Sequence, residues 1–374
     1  PRGFDTAGWL IVSGQSGEEA DKRMAEMRQS VKVLYEPVAK NKGERSDIIQ
    51  PFRRQTIGFP TEPEQLTFCQ ITDLVKAKEL WESFTCLEKY NSPFLNWDWR
   101  AAFARGYGDT HLFLTAENAN GETVGLLPLQ YVSDRQQWEF FGTYWFEENV
   151  FFAPDEVVLR QLLGVAPRPL YLNGIAMSQL KKFPSLPLDF DEEKFTLPLG
   201  GFSAVDEMLE ELSSHRRAVI RRKLKKMEAL QPSITADFST KAVAEMIALN
   251  KKRFGKEHSF TPARSRAFME LAGNVIPGLS ARVLTMRAGK DVAGIHFALF
   301  NQERYIGLNG GCDLVRYPFA EAALAAASIN DAIGLGCKTY DALANDYGWK
   351  TYWGFSPAPL YLLAIDDVDN GKAV

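Results

Sequence analysis

The chain has 374 residues and a formal net charge of −4, which is length enough for two cores and lacks the basic excess that general nucleic-acid binding needs. Hydrophobic residues at 45% and charged residues at 24% point to a globular protein, and no apolar run approaches the ~20 residues of a membrane span. Cys69, Cys86, Cys312 and Cys337 lack metal-ligand spacing, so no metal site is expected. No secretory pattern opens the chain, so reduced thiols and a cytoplasmic location are the expectation.

Residues 1–64 read as an appendage of unassigned function. Gly8 to Ser13 suits a strand, and Glu18 to Tyr35 a helix with Met24, Met27, Val31 and Leu34 on one side. Pro60 to Pro63 reads as a linker. From Leu66 the pattern sharpens. Leu66 to Ile71 alternates as a strand, Asp73 caps a helix, and Asn96 caps a second helix over Trp97 to Tyr107. His111 to Thr115 and Val124 to Val132 flank an Asn120-Gly121 turn, a strong hairpin signal. A strand from Gln137, a helix from Pro154 and a strand from Pro169 follow, and the proline-rich stretch 181–201 reads as an interdomain connection.

Ser203 with Asp206 resembles a capping box opening one long helix. That helix starts acidic and turns basic from His215 to Lys226, with Arg217, Arg221 and Lys225 spaced by four on one side. Two readings stand open: an amphipathic helix matched to its own dipole, or an anion-binding face. A strand from Ser233, helices from Ala242 and Arg264, and a hairpin from Ala281 to Phe300 then repeat the earlier order of element types.

The stretch from Arg304 to Gly354 reads strand, glycine turn, helix, strand and aromatic-basic segment. Arg304 to Asn309 suits a short buried strand, and Asn309-Gly310-Gly311 breaks it into a turn. Pro318 suits the start of an alanine-rich helix from Phe319 to Ile333, which Gly334-Leu-Gly336 ends. Lys338 to Leu343 makes a second strand, parallel to the first because a helix joins them. The helix start beside the sheet offers a place for a phosphate. Pro359 to Ile365 adds a final strand.

Asp341 and the run Asn345-Asp346-Tyr347-Gly348-Trp349-Lys350-Thr351-Tyr352-Trp353-Gly354 resemble the CelD/BioF-like acetyltransferases. These are relatives of the Fem peptidyltransferases within the GNAT superfamily. Their pattern is an aspartate on the late strand, then roughly Gly-Asp-x-x-Tyr-Lys-x-x-Trp-Gly. Asp346, Lys350, Trp353 and Gly354 match it, whereas Asn345 replaces the glycine and Trp349 the tyrosine. The run Pro93 to Trp99 and Leu126 to Leu129 resemble the start of the same family.

The resemblance implies an α/β fold with a mixed sheet, built of tandem GNAT-like units at 65–200 and 201–374 behind the appendage at 1–64. It implies an acyltransferase using acyl-CoA, without metal, on an amine or hydroxyl of a small-molecule or cell-envelope sugar acceptor. Asp346 and Asp341 become the candidate bases, and Tyr347 or Tyr352 the candidate acid. The amides near Leu308 to Gly310 would polarise the acyl carbonyl. Gly310, Gly311, Arg316, Ala320 and Ala322 would hold the cofactor phosphates. Lys350, Trp353, Arg217 and Arg221 would bind substrate. An aspartate after a strand also caps turns, so each of these carboxylates has a structural reading beside the catalytic one. The Fem likeness keeps aminoacyl-tRNA open as an alternative donor, through the basic helix, and a degenerate fold that only binds a ligand is the third reading.

Overall fold

The computed structural model describes residues 66–87, 92–108, 110–142, 148–274, 280–346 and 348–366. All of them belong to one compact unit, residues 55–374. The expected strand and helix before residue 36, and the linker at 60–63, lie outside the described residues.

The described chain begins with strand β1 (Thr67–Ile71), helices α1 (Leu74–Leu87) and α2 (Trp97–Tyr107), and strands β2 (Thr110–Glu117), β3 (Thr123–Val132) and β4 (Gln137–Phe140). Helix α3 (Glu156–Val165), strand β5 (Leu170–Ala176), the short α4 (Met177–Lys182) and strand β6 (Asp189–Pro198) complete this half. The caps act as the sequence implies. Asp73 Oδ1 accepts from the amides of Val75 and Lys76, and Asn96 Oδ1 accepts from Trp99.

The second half carries α5 (Val205–Glu210), α6 (Ser214–Glu228), β7 (Ser233–Asp237), α7 (Thr240–Phe254), α8 (Pro262–Gly273), β8 (Ser280–Ala288), β9 (Asp291–Phe300) and β10 (Arg304–Cys312). Helix α9 (Ala320–Gly334), β11 (Thr339–Ala344), a 3₁₀ turn (Thr351–Trp353) and β12 (Ser356–Ile365) end it.

All twelve strands form one sheet in the order β1-β2-β3-β4-β5-β12-β6-β11-β10-β9-β8-β7. The order is palindromic: exchanging β1–β6 for β7–β12 and reversing it returns the same sequence. Both halves also share the order strand, two helices, three strands, helix, strand. The fold is thus a mixed α/β sheet made of two halves of like topology. Each half lends its last strand to the other, because β12 pairs with β5 and β6 pairs with β11. β6 and β12 pair with each other at the centre.

Two local readings need correction. The stretch 181–201 is not a connection: it contains β6, a central strand. Its charged sequence Asp189-Phe-Asp-Glu-Glu-Lys194 masks it, since a strand covered on both sides is usually apolar. The helix from Ser203 is also two helices. Ser203 N–H and Oγ donate to Glu207 rather than Asp206, and Ser213 caps the second helix by accepting from Arg216.

Helices α2, α7 and α8 cover one face of the second half. There Trp99, Phe103, Phe268 and Phe297 pack with Ile306, Leu308 and Leu343. Helix α9 covers the other face, against Tyr305, Tyr340 and Ala342.

Candidate active site

β10 and β11 run parallel but pair over only three positions, Arg304 with Thr339, Tyr305 with Tyr340, and Ile306 with Asp341. Beyond that point β10 pairs with β9 alone and β11 with β6. A bulge helps them part. Gly307 lies opposite Ala298 and Asn309 opposite Phe297, so Leu308 is an extra residue without a register partner on β9. Gly307 suits the close approach there, because a Cβ would stand 2.7 Å from Tyr340 Oη. The result is a wedge between two parallel strands, opening at their carboxyl ends, where open α/β sheets bind ligands.

Gly310 and Gly311 lie in the β10 ladder, opposite His296 and Ile295, and not in a turn. The turn follows them, where Tyr317 N–H donates to Asp313 O (2.8 Å) and Ala320 N–H to Tyr317 O (3.0 Å). α9 then begins with Ala320 and Ala322 buried, and Phe319 at its N-cap supplies no side-chain acceptor for the first-turn amides. Arg316 sits on the surface in an ion pair with Asp291, above the Tyr317 ring.

The C-terminal motif builds the end of β11. Asp341 is 1% exposed; its Oδ1 accepts the Leu343 amide (3.0 Å) and its Oδ2 accepts from Lys194 Nζ (3.0 Å). Lys194 also donates to Glu148, which accepts from Arg304 Nη1 at 2.8 Å. Two cations and two anions from four segments thus close a buried cluster where the wedge begins. Burial opposes the Glu148 charge, but Lys194 and Arg304 outweigh it and hold the carboxyl at about 2. Burial likewise works against the cations of Lys194 and Arg304, yet their acidic partners raise both above the ordinary values.

Leu343 and Asn345 both have positive φ, +62° and +63°, uncommon for residues other than glycine. Lys350, 3% exposed, donates to the carbonyls of Leu343 (2.7 Å) and Ala344. Asp346 accepts from Thr351 through its backbone N–H (3.0 Å) and its hydroxyl, the geometry of a turn cap. Trp353 is buried in the α5/α9-side core, with Tyr352 packed partly buried beside it. Gly354 ends the turn at φ +88°.

Lys350 and Asp346 thus hold the turn after β11 and Trp353 packs in the core, which gives each a structural role beside the base or substrate contact expected from the sequence. Tyr347 lies outside the described residues. Arg217 and Arg221 both donate to the Glu210 carboxylate.

Glu148, Lys194 and Arg304 were not singled out from sequence. Their partners lie 46, 147 and 156 positions away, a separation no local pattern reports. A second polar group, without a local sequence signal, lies at the bulge. Asn309, beside the bulge, donates to Ser259 Oγ (3.2 Å) and accepts from Asn250 (3.3 Å), while the adjacent His258 has its Nδ1 buried without a hydrogen-bond partner. Among the described residues no group of three or more His, Cys, Asp or Glu is placed to hold a metal ion.

Residues 214–351 match the family model described as an acetyltransferase (GNAT) domain. This part of the chain is a GNAT domain. Solved structures share the wider fold. A conserved Bacteroides thetaiotaomicron protein of unknown function aligns with a TM-score of 0.56 at 13% identity, over 81% of this chain and 100% of its own. FemX aligns with 0.53 at 13% identity, over 79% and 96%. L-PGS from Bacillus licheniformis aligns with 0.51 at 11% identity, over 78% and 93%. Comparison with curated protein sequences finds no significant match. The GNAT domain contains the wedge, the bulge and the start of α9, whereas Glu148 and Lys194 reach it from outside the matched residues.

Proposed function

We propose that the protein is an acyltransferase that moves an acyl group from acyl-CoA to an amine or hydroxyl of a small-molecule or cell-envelope sugar acceptor, in the cytoplasm. The observation that carries this reading is the wedge between β10 and β11, opened by the Leu308 bulge beside the uncapped start of α9. On this reading a pantetheine arm would lie between the splayed strands. Backbone amides around Leu308 would stabilise the negative charge that develops on the thioester carbonyl. The first turn of α9, with alanines at Ala320 and Ala322, leaves amides for the phosphates. The halves divide, on this reading, near Gly200-Gly201, just after β6.

Calorimetric titration with acetyl-, butyryl- and octanoyl-CoA tests the donor. Binding that depends on acyl length, accompanied by thiol release, is the expected result; no binding of any acyl-CoA removes this reading.

Aminoacyl-tRNA is the second reading, favoured by Arg222, Lys223 and Lys225 standing exposed on α6. It predicts submicromolar binding of bulk tRNA that persists at physiological salt, without acyl-CoA binding.

A further inference from the structure

We propose that Glu192, carried into the site on β6 by the first half of the chain, is the general base that takes the acceptor's proton. This rests on the acyltransfer reading given above.

β6 runs antiparallel to β11, with Asp341 opposite Thr196 and Ala344 opposite Lys194. β11 stops at Ala344, so Glu192, two residues further along β6, lies just past the carboxyl end of β11 and beside the wedge mouth. The strand is irregular there. Glu193 faces Pro359 and Phe190 faces Tyr361, three steps on β6 against two on β12, which puts the extra residue at Asp191–Glu192. Such a bulge re-aims side chains out of the regular alternation.

The surroundings differ from those of the motif carboxylates. Asp341 is locked between Lys194 and the Leu343 amide, and Asp346 is occupied by Thr351. Among the described residues Glu192 has neither a hydrogen bond nor an ion pair, and it is half-buried. Three titratable groups reach it: Asp191 on its own strand, Lys350 from the turn after β11, and Tyr171 on β5. Burial first, then the Asp191 charge, pushes the Glu192 carboxyl up to about 7, with Lys350 opposing. A carboxylate of that basicity can accept a proton and release it again near neutrality.

The step balances without a further reactant. Glu192 takes the proton as the acceptor's nitrogen or oxygen lone pair forms the bond to the acyl carbon. The C–S bond breaks, and the departing CoA thiolate receives that proton from Glu192, directly or through water. The products are acylated acceptor and free CoA thiol.

The test uses the full chain, acetyl-CoA, and thiol release with D-glucosamine or, without it, water as acceptor. Wild type should show a rate that rises with pH through about 7, as Glu192 ionises. Glu192→Gln should lose that limb and slow thiol release about 100-fold or more, with acetyl-CoA affinity and melting temperature nearly unchanged. Glu192→Asp should keep the limb at a reduced rate. Glu192→Gln within threefold of wild type would overturn the proposal. So would a limb that survives in Glu192→Gln but vanishes in His258→Asn, which would transfer the role to His258. Wild type that binds acetyl-CoA but releases no thiol also counts against Glu192, whereas absence of acetyl-CoA binding defeats the donor reading itself.

Discussion

The two halves share one strand order, yet their crossovers end differently. In the second half, β10 past its bulge leaves β11 and opens the wedge. In the first half, β4 and β5 pair only at Trp138 with Leu170, and the corresponding space is taken by the chain itself. Asn149 N–H donates to Gly174 O (2.7 Å), and Leu126 N–H donates to Phe152 O (2.8 Å), so the segment 148–152 bridges β5 and β3. Arg100, 1% exposed, fixes it by donating to the carbonyls of Phe94, Phe141 and Glu148 and to Asn149 Oδ1. One half has closed its opening; the same segment sends Glu148 across to brace the other. Duplication of a fold thus need not duplicate a site. One copy can become the support of its twin.

Removing the central cation of that brace should be the most damaging change. Lys194→Ala leaves Glu148 and Asp341 buried with half their compensation gone, and should destabilise by ~3–5 kcal/mol in urea unfolding. A loss under about 1 kcal/mol would show that the halves do not depend on the cluster. Acid should act on the same group. Glu148 sits at about 2, below its ordinary 4.5, so its contribution is complete above pH 4.5 and is lost as pH falls toward 2. Its full extent is roughly 3 kcal/mol, and Glu148→Gln should flatten that part of the stability–pH curve.

Changes on the wedge side should cost less. Gly307→Ala places a methyl 2.7 Å from Tyr340 Oη and should cost ~1–3 kcal/mol, read from melting temperature, because both strands must shift. Asp346→Ala removes a turn cap and should cost ~1 kcal/mol while leaving acyl transfer within a few-fold of wild type. A thousandfold loss with an unchanged melting temperature would assign the base to Asp346.

Local signals carried most elements. Asp73 and Asn96 announced their helices, Asn120-Gly121 its hairpin, and the alanine run its helix, because caps, turns and periodicity are properties of neighbours in sequence. β6 was hidden for the opposite reason. Its charges suit a loop until Glu148 and Asp341 arrive from other segments to neutralise Lys194. Gly310-Gly311 suits a turn because glycine permits one, but β9 supplies a partner strand and the ladder continues through both. The motif from Asp341 to Gly354 lies at the end of β11, beside the wedge, whereas the bonds of each side chain depend on which backbone groups the strand leaves exposed. No spacing rule encodes that.

On the acyltransfer reading only the second half's opening takes the donor, and amide hydrogen exchange with and without saturating acetyl-CoA distinguishes the two halves. Added protection should appear at Gly307–Cys312, Ala342–Ala344 and the first turn of α9, with none at Gln137–Phe140 or Leu170–Ala176. Protection confined to β4 and β5, or spread equally over both halves, would contradict it.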